Sequence, residues 1–470
     1  MIKINYQTGL LAVAMVALSS CRENAYGVVD LTLPEEETPQ QVEYVYKHPS
    51  AMFNQADFDR VKSLLDDGLA PLPVQQEFAA LKASKYTQLP YAPQPQEQIV
   101  RGDPTGTKTG SQNFTYAMRD AAAAYQMSLL WKLTGDNRYA DAVVGILNAW
   151  ADVCKEITSN DYDYMLAAGC QGYTFANAAE IMQTYEGWNA ADQDDFKKWI
   201  VGLFGAKNRE FLEHKKADTC DEHYWSNWDL VNMCSYLAIG ILTENDEMVN
   251  YVVDYFYNGP GNGSIGKLIR GTHQDPLGTG ETVCQNQESG RDQGHAQMSL
   301  MVTANLCQMA YTFYRENQAD SRLDFFAAND NAVLAMGEYV ALTNLRDGSD
   351  KENKTGAWLV TVTQMPFAAF DYCMDCACKG SGDKALGGGR HGFTMITFAD
   401  DEGRGSLRPG WDLIYNHYAH VKGLSSGYTY VKAFAEKNRP ECGAGDVTRY
   451  GDNSGAFDQL GWGTLMTYRE

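Results

Sequence analysis

Hydrophobic residues recur every three or four positions along most of this chain, which is the spacing of an amphipathic or buried α-helix. Gly, Asp or Asn residues separate most of these stretches, as is typical of helix ends. The alternation typical of β-strands is scarce, and its best candidates are residues 358–363 and 393–398. The predicted helices are residues 116–134, 139–151, 172–186, 191–213, 225–243, 247–257, 287–315 and 328–343.

This order of elements predicts an all-α fold. Mid-length helices joined by short turns, without the rhythm of a parallel sheet, are typical of helical hairpins stacked in a ring or solenoid. Because no exact repeat is visible, the pattern favours an irregular (α/α) barrel over a regular solenoid. We interpret the glycine-rich segments 259–266, 275–280 and 380–392 as long loops over the mouth of this barrel.

The N-terminus has the pattern of an export signal. Lys3 precedes an apolar stretch, residues 10–18, that is too short to span a membrane. The residues before Cys21 resemble a bacterial lipobox, which implies cleavage before Cys21 and attachment of lipid to it. An ordinary signal peptide followed by an incidental cysteine is the alternative. We expect a lipoprotein signal peptide at residues 1–20 and an exported lipoprotein, anchored to a membrane in the periplasm or at the cell surface of a Gram-negative bacterium.

The residues that follow are acidic, contain prolines and lack periodicity. Residues 21–45 are therefore predicted to be lipidated Cys21 and a flexible tether. No linker-like change of composition appears later, so residues 46–470 are expected to form one (α/α)-barrel domain, and the protein to be a monomer.

The net charge and the pattern of cysteines limit which ligands and cofactors we expect the protein to bind. The formal net charge is -22, with 60 acidic and 38 basic residues, which argues against nucleic acid as a partner. An anionic substrate would have to be held by a few local cations against this overall charge. The cysteine cluster at residues 373–378 lacks a second ligand pair at zinc-site spacing, so we expect neither a metal nor another cofactor.

The densest group of reactive side chains lies at residues 286–295, at the head of a predicted helix. If this helix begins near Gln287, then Glu288, Arg291 and His295 share one face. Apolar residues continue that face further along the helix. The pattern predicts a rigid cluster of ionisable groups in a cleft, at one end of a buried helix.

Further aromatic, amide and histidine side chains stand near the starts of three other helical stretches, a mixture typical of carbohydrate-binding surfaces. Each has a purely structural interpretation as well: His295 as a satisfied helix histidine, Arg291 as the partner of a neighbouring carboxylate, Tyr415 as part of a core stripe. The hypothesis depends on their occurring together. The candidates for substrate binding are Glu288, Gln171, Tyr173, His223, Tyr224, Trp225, His417 and Tyr418.

One reaction uses this set without a cofactor: β-elimination on a polysaccharide of uronic acids. The C5 proton is weakly acidic while the adjacent carboxylate stays charged, and Arg291 with Asn227 could neutralise that charge. His295 or a deprotonated tyrosine is the candidate base, and Tyr415 or Tyr418 the candidate acid. The alternatives are an (α/α)-barrel glycoside hydrolase of acidic glycans, which needs two opposed carboxyl groups, and a non-catalytic glycan-binding surface lipoprotein. For the hydrolase the candidate carboxyl groups are Asp229, Glu288 and Asp292.

The chain resembles the alginate-lyase-like polysaccharide lyases with helical toroid folds, most closely polysaccharide lyase family 38. The resemblance covers most of residues 110–430, and its most specific part is the run at residues 288–295. It implies a barrel of about seven helical hairpins that cleaves alginate or a related polyuronate into unsaturated oligosaccharides. Better-known helical alginate lyases carry an Asn-His pair, whereas Asn227 is followed here by Trp228, so the base is expected to be His295 or a tyrosine. The other matching segments are residues 119–120, 131–135, 146–150, 171–173, 178–180, 227–228 and 415–418.

Overall fold

The computed structural model describes residues 41–102, 111–159, 163–215, 220–348, 355–373, 393–396, 403–450 and 456–470. The predicted signal peptide, the lipidated Cys21 and most of the tether lie outside the described residues. So do the third glycine-rich segment and residues 374–378 of the cysteine cluster.

Helices dominate the described residues. They are α1 (Gln55–Asp66), α2 (Leu72–Ala83), α3 (Phe114–Thr134), α4 (Asn137–Val153), α5 (Tyr164–Met182), α6 (Ala190–Ile200), α7 (Ala206–His214), α8 (Ser226–Leu242), α9 (Asp246–Asn258), α10 (Ile265–Leu268), α11 (Gln293–Tyr314), α12 (Ala328–Asn344), α13 (Trp411–Asn416), α14 (Thr429–Asn438), α15 (Val447–Tyr450) and α16 (Gly463–Thr467).

Strands occur in the described residues as short two-stranded ribbons. One is parallel and joins β1 (Gln98–Val100) to β2 (Glu156–Thr158). The antiparallel ribbons are β3 (Ile269–Gln274) with β4 (Thr282–Asn286), β5 (Arg346–Asp347) with β6 (Ala357–Trp358), and β7 (Phe370–Cys373) with β8 (Phe393–Ile396).

Four long helices, α3, α5, α8 and α11, form an inner layer and are buried along nearly their whole length. Each packs against the next: α3 on α5, α5 on α8, and α8 on α11. Helices α4 and α9 bury one side only, which agrees with their amphipathic sequences and with a place in the outer layer.

Small residues set the close approach of α5 to α8. A Cβ atom at Gly172 would lie 2.2 Å from Ser235 Oγ, and one at Gly169 would lie 2.6 Å from Val231 Cγ2. These pairs advance together along both helices, so α5 and α8 run parallel. A Cβ atom at Gly169 would also lie 3.0 Å from the backbone carbonyl carbon of Val231, which cannot rotate away, so a larger residue at Gly169 would push the two helices apart.

The inner helices share one direction. Asn227 of α8 contacts Met298 of α11, and further along Cys234 donates a hydrogen bond to the Val302 carbonyl. Helices α5, α8 and α11 therefore begin at one edge of the ring, which we call the mouth. The opposite edge is called the far end.

The ring closes through the two ends of the described domain. Helix α11 packs on α13, α13 on α16, α16 on α1 and α2, and α1 on α3. At this closure the fully buried carboxylate of Glu77 accepts hydrogen bonds from the backbone N–H groups of Cys442 and Leu465. The predicted (α/α) toroid is confirmed.

The domain begins earlier than predicted. Val42, assigned to the tether, exchanges two hydrogen bonds with the Asn250 side chain of α9, at 3.0 and 2.7 Å. Val45 exchanges two with the Asn317 side chain, at 2.7 and 3.0 Å. Residues 41–45 are thus tied to the outer layer of the ring, since amide side chains satisfy their backbone groups as a strand partner would.

Most predicted helices correspond to observed ones, with three differences. Helix α5 begins earlier than residue 172, and a π-helical turn, Val201–Gly205, separates α6 from α7 within the stretch predicted as residues 191–213. The third difference, at the start of α11, concerns the site and is described below. The patterns did not predict α1, α2, α13 or α14. None of the described helices is long and apolar enough to cross a membrane.

A buried ion pair holds the N-terminal segment on the ring. His48 Nδ1 lies 2.6 Å from Glu180 Oε2, and its Nε2 lies 3.1 Å from Glu244 Oε1. Burial lowers the pKa of His48, but the two carboxylates outweigh burial and raise this pKa above 6.5. Burial raises the pKa of Glu180, but His48, together with hydrogen bonds from Ser50 and Gln183, outweighs burial and lowers this pKa below 4.5. Both groups are therefore charged between these values.

We expect the free energy of unfolding to fall as pH rises above about 6.5, through the folded pKa of His48, because the proton that stabilises the pair is lost there. It should also fall as pH drops below about 4.5, where Glu180 becomes protonated. The variant His48→Gln should lose roughly 1–3 kcal/mol, since Glu180 keeps a buried oxygen without its charged partner. Urea unfolding at about pH 6 and about pH 8.5 measures both effects. An equal pH-dependent loss in the wild type and in His48→Gln would contradict this assignment.

Candidate active site

The reactive stretch at residues 286–295 does not begin as an α-helix. The residues from Gln287 to Gly290 form a 3-10 turn, and α11 begins at Gln293. Asp292 is the N-cap of α11 and accepts a hydrogen bond from the His295 backbone N–H at 2.8 Å. Aspartate is a preferred N-cap residue and glycine a poor helix former, which explains the later start. The predicted single helix face is therefore wrong, but the turn still brings the predicted residues together.

Glu288 is the centre of the cluster and is fully buried. Its Oε1 accepts a hydrogen bond from the Asn227 backbone N–H at 3.0 Å and one from Ser299 Oγ at 3.2 Å. Its Oε2 lies 3.4 Å from Arg291 Nη1. Burial raises the pKa of Glu288, although Arg291 acts in the opposite direction. Glu288 had been predicted to bind substrate. Because no solvent reaches it, Glu288 instead positions Asn227 and Arg291.

Arg291 lies at the mouth, and its side chain is 30% exposed. The guanidinium carbon lies 5.5 Å from the ring centroid of Trp225, which directly precedes α8. Its Nε lies 3.8 Å from Asp292 Oδ2. Arg291 is therefore held between an aromatic face and two carboxylates, and part of the cation still faces the open mouth.

Asp292 and His295 form a dyad across the first turn of α11. His295 Nδ1 lies 2.5 Å from Asp292 Oδ2, and the His295 side chain is 35% exposed. Burial raises the pKa of Asp292, but the hydrogen bonds from His295 outweigh burial and lower it. An ionised Asp292 fixes the proton of a neutral imidazole on Nδ1, which leaves Nε2 as a proton acceptor.

Asn227 lies in the first turn of α8 and is buried. Its side-chain Nδ2 faces Met298 Sδ at 3.5 Å, which is a weak acceptor. Its Oδ1 has no hydrogen-bond partner among the described residues. Nδ2 carries two N–H donors and has only this weak sulfur acceptor, so it keeps donor capacity that a ligand at the mouth could use.

Two further arginines lie near His295 and were not predicted. Arg408 Nη1 donates to Asp458 Oδ2 at 3.3 Å. Burial raises the pKa of Asp458, while the charges of Arg408, Arg101 and His295 act in the opposite direction. Arg101 and Arg408 come from segments without helical periodicity, and only their tertiary position beside Asp458 brings them to the site.

Tyr415 does not lie at the mouth, contrary to its predicted role as the acid. Helix α13 runs beside α11, with Gly410 against Met301 and the His417 ring 4.6 Å from that of Tyr311. With a rise of about 1.5 Å per residue, the level of Tyr311 is on the order of 24 Å from His295. The ring of Tyr415 instead meets those of His420 and Tyr428 and the Arg439 guanidinium.

His417 and Tyr418, predicted to bind substrate, lie toward the far end as well. The His417 ring stacks on Phe326 with centroids 3.8 Å apart, and Tyr418 OH donates to the Phe326 carbonyl at 2.7 Å. Both side chains are buried. Histidine and tyrosine are suitable side chains for binding a sugar. These two nevertheless lie far from Arg291, because the end of α13 that precedes them is near the far end of the ring.

Gln171 and Tyr173 point to opposite sides of α5, since two residues correspond to about 200° of helix rotation. The Tyr173 hydroxyl donates to the Asp458 carbonyl, so Tyr173 faces the interior of the ring beside the mouth cluster. Tyr173 is fully buried, and burial raises its pKa well above its ordinary value. Of this predicted pair, only Tyr173 supports the site.

His223 and Tyr224 belong to an aromatic support below the mouth. The Tyr224 ring packs between those of Phe211 and Trp228, with ring centroids 5.2 and 4.6 Å apart. The His223 ring contacts the Tyr224 ring edge-on, with centroids 4.9 Å apart. Of the three predicted aromatic side chains that precede α8, Trp225 is the one in contact with Arg291.

Asp229, a candidate carboxyl group for hydrolysis, is fully buried and tied to other groups. Lys215 Nζ lies 2.5 Å from its Oδ1, and the Gly263 N–H donates to its Oδ2 at 2.9 Å. Glu288 is fully buried too, so of the three candidate carboxyl groups only Asp292 is partly exposed, whereas hydrolysis needs two opposed, accessible ones. Within the described part of the chain, no group of His, Cys, Asp and Glu could hold a metal ion.

The fold and the site together define a class of protein. The fold is a helical toroid, and the site combines an arginine, an amide and a histidine oriented by a carboxylate. This combination suits an acidic sugar. The sequence model of the alginate lyases matches residues 73–319, more than half of the chain. The chain belongs to the alginate lyase family and is a polysaccharide lyase. No curated protein sequence matches it.

Solved structures with a similar fold include alginate lyases. One is a histidine-to-alanine variant of alginate lyase A1-III with a tetrasaccharide: 14% identity and a TM-score of 0.54, over 91% of this chain and 97% of that one. A tyrosine-to-phenylalanine variant, also with a tetrasaccharide, has 13% identity and a TM-score of 0.53, over 90% and 99%. An alginate lyase from Bacteroides ovatus has 12% identity and a TM-score of 0.51, over 84% and 98%.

Proposed function

We propose that this lyase cleaves alginate or a related polyuronate by β-elimination, at a site built from Asn227, Arg291 and His295. The observation that carries the proposal is the chain of contacts through Glu288 and Asp292. Glu288 holds Asn227 and Arg291 on its two oxygens, and Asp292 lies within 3.8 Å of Arg291 and 2.5 Å of His295. The family and the alginate lyases of the same fold support the substrate class.

Arg291 and Asn227 bind the carboxylate of the sugar unit that reacts. The exposed part of the guanidinium pairs with the carboxylate, and the side-chain amide of Asn227 donates a second hydrogen bond. Both interactions strengthen as negative charge moves onto the carboxylate in the enediolate intermediate. Trp225 offers a flat face beside Arg291 against which a sugar ring can pack.

His295 acts as the base. Nε2 accepts the C5 proton, and Asp292 orients the ring and stabilises the imidazolium that forms, as carboxylates do for catalytic histidines. The C4–O4 bond then breaks, a C4–C5 double bond forms, and O4 takes up a proton. When the C5 proton and O4 lie on the same face of the sugar, the imidazolium returns that proton to O4, so Tyr415 is not needed as an acid.

The cluster also accounts for binding an anion despite a net charge of -22. Arg101, Arg291 and Arg408 concentrate positive charge at the mouth, within the reach of Coulomb attraction for partly buried groups. Burial raises the pKa of Glu288 and of Asp458, and the arginines beside them act in the opposite direction. Neighbouring uronate units along the polymer meet the same positive region.

Export and anchoring are part of the proposal. A lipid on Cys21 would hold the enzyme on a membrane in the periplasm or at the cell surface of a Gram-negative bacterium, where polyuronates are encountered. The lipobox-like sequence before Cys21 supports this, and so does the start of the folded domain at residue 41. A short tether remains between the lipid and the ring.

Incubation with defined polymannuronate, polyguluronate and polyglucuronate tests the reaction. We expect at least one of them to be shortened, with a rise in ultraviolet absorbance from the unsaturated uronate end. Shortening without absorbance would mean hydrolysis, and binding without shortening would mean a glycan-binding protein. Either result would overturn the proposal. Arg138→Gln is a matched control, because Arg138 is exposed and pairs only locally with Asp136.

A further inference from the structure

A second polar cavity lies at the far end of the ring, where α1, α11, α13 and the C-terminus meet. Its volume is about 190 Å³, and the residues that line it include Asp57, Gln308, Tyr311, Arg315, His417 and Arg469. Water in the liquid occupies about 30 Å³ per molecule, so the cavity has the space of roughly six waters or one monosaccharide. It is separated from Arg291 by most of the length of α11.

Positive charge exceeds negative charge around this cavity. Arg315 Nη1 donates to both oxygens of Asp57, at 2.9 and 2.8 Å. Arg60 donates to the backbone carbonyls of Met466 and Tyr468. Burial and the charges of Arg469 and Arg315 lower the pKa of Arg60, which shows how near the three guanidinium groups are to one another. Of the charged side chains that line the cavity, two are guanidinium groups, Arg315 and Arg469, and one is a carboxylate, Asp57.

A buried polar atom accompanies this charge. His417 is 3% exposed, and its Nε2 has no hydrogen-bond partner among the described residues. Its ring is fixed between Phe326 and Tyr311, so Nε2 cannot turn to solvent. Burial lowers the pKa of His417 to about 3, so the ring is neutral and suits a hydroxyl partner.

We propose that this cavity, which we call the seam pocket, binds one monosaccharide-sized sugar acid. Arg469 and the outer part of Arg315 take the carboxylate, and His417 with Gln308 takes hydroxyl groups. Tyr311 supplies an aromatic wall. The site lies outside the proposed reaction centre and does not depend on the function proposed for it.

Binding in the seam pocket stabilises the closed ring. The pocket joins α1, from the start of the folded domain, to residues 466–469 at its end. A ligand that contacts both parts binds the folded ring and not the unfolded chain, so it raises the melting temperature in proportion to the logarithm of its concentration.

Thermal unfolding of the full domain with glucuronate, glucose or acetate tests the proposal. We expect a concentration-dependent rise in Tm with glucuronate and a much smaller one with glucose, which lacks the carboxylate, or with acetate, which lacks the hydroxyls. Equal effects of acetate and glucuronate would show a simple anion site and overturn the assignment to a sugar acid. No shift with glucuronate would overturn it as well.

Three variants locate the binding. Arg469→Gln should raise the Kd for glucuronate at least about ten-fold, the usual loss for a hydrogen bond to a charged group. It should still fold, since only the backbone N–H of Arg469 is bonded to Asn416. Arg138→Gln and Arg291→Ala should bind as the wild type does. Loss of binding in Arg291→Ala with retention in Arg469→Gln would place glucuronate at the mouth and refute the seam pocket.

Discussion

Arg291→Ala is expected to lower kcat/KM on the polyuronate substrate by about 10² to 10³. The variant removes the cation that neutralises the C5 carboxylate, and loss of one such donor costs about 2.7–4 kcal/mol in the transition state. The loss should appear mainly in kcat, because the charge on the carboxylate grows as the C5 proton leaves. Initial rates followed by ultraviolet absorbance, over a range of substrate concentrations, measure it.

Two controls separate chemistry from folding in this experiment. Arg291 is partly exposed and its ion pairs are long, at 3.4 and 3.8 Å, but Glu288 is buried, so Arg291→Ala should lose some stability while remaining folded, and its melting temperature is measured beside the rate. Arg291→Lys keeps the charge but loses the planar donor geometry, and should recover only part of the rate. The expected fall in kcat/KM is about 10² to 10³. A fall of less than about threefold in Arg291→Ala would show that Arg291 takes no part in the reaction.

His295→Ala is expected to lower kcat by about 10³ to 10⁴, the upper range for loss of a general base. KM should change little, because carboxylate binding depends on Arg291 and Asn227. Single-turnover measurements with the same substrate test the chemical step directly. A variant that keeps more than a tenth of the wild-type kcat would show that another group takes the C5 proton.

Asp292→Asn is the matched test of how His295 is held. Asparagine is as good an N-cap as aspartate, so α11 should keep its first turn. The dyad, in contrast, loses the carboxylate that fixes the imidazole tautomer. The expected result is a fall in kcat at nearly constant KM and Tm. Equal loss of activity and stability would show that Asp292 serves the helix and not the histidine.

Periodicity predicted the parts of this fold that depend on local pattern. Helices α3, α4, α8 and α9 appear within a few residues of their predicted bounds. The buried positions of α4 and α9 follow the helical period, whereas α3 and α8 are buried along most of their length and have polar or glycine residues near their ends. The start of α11 was misplaced because the 3-10 turn at residues 287–290 has a similar spacing of polar and apolar residues. The N-cap spacing of Asp292 and His295 was the available signal for the correct start.

The site was predicted where its residues are close in the chain and missed where they are not. Arg291, His295 and Asp292 stand within one short segment, so sequence alone placed them together. Tyr415 has suitable chemistry, but its distance from the mouth depends on how α13 sits beside α11, which no local pattern encodes. Arg408 and Asp458 come from loops and carry no periodic signal. Gln171 and Tyr173 are also close in the chain, but they lie on opposite sides of α5. Helix geometry alone could have predicted this difference.

The most direct measurement is a crystal structure of the His295→Ala variant with a bound tetrauronide. We expect one sugar carboxylate within hydrogen-bond distance of both Arg291 and the Asn227 side chain, with the C5 hydrogen of that unit facing the space left by the imidazole. A chain bound with its carboxylates turned away from Arg291, or seated elsewhere on the ring, would contradict it.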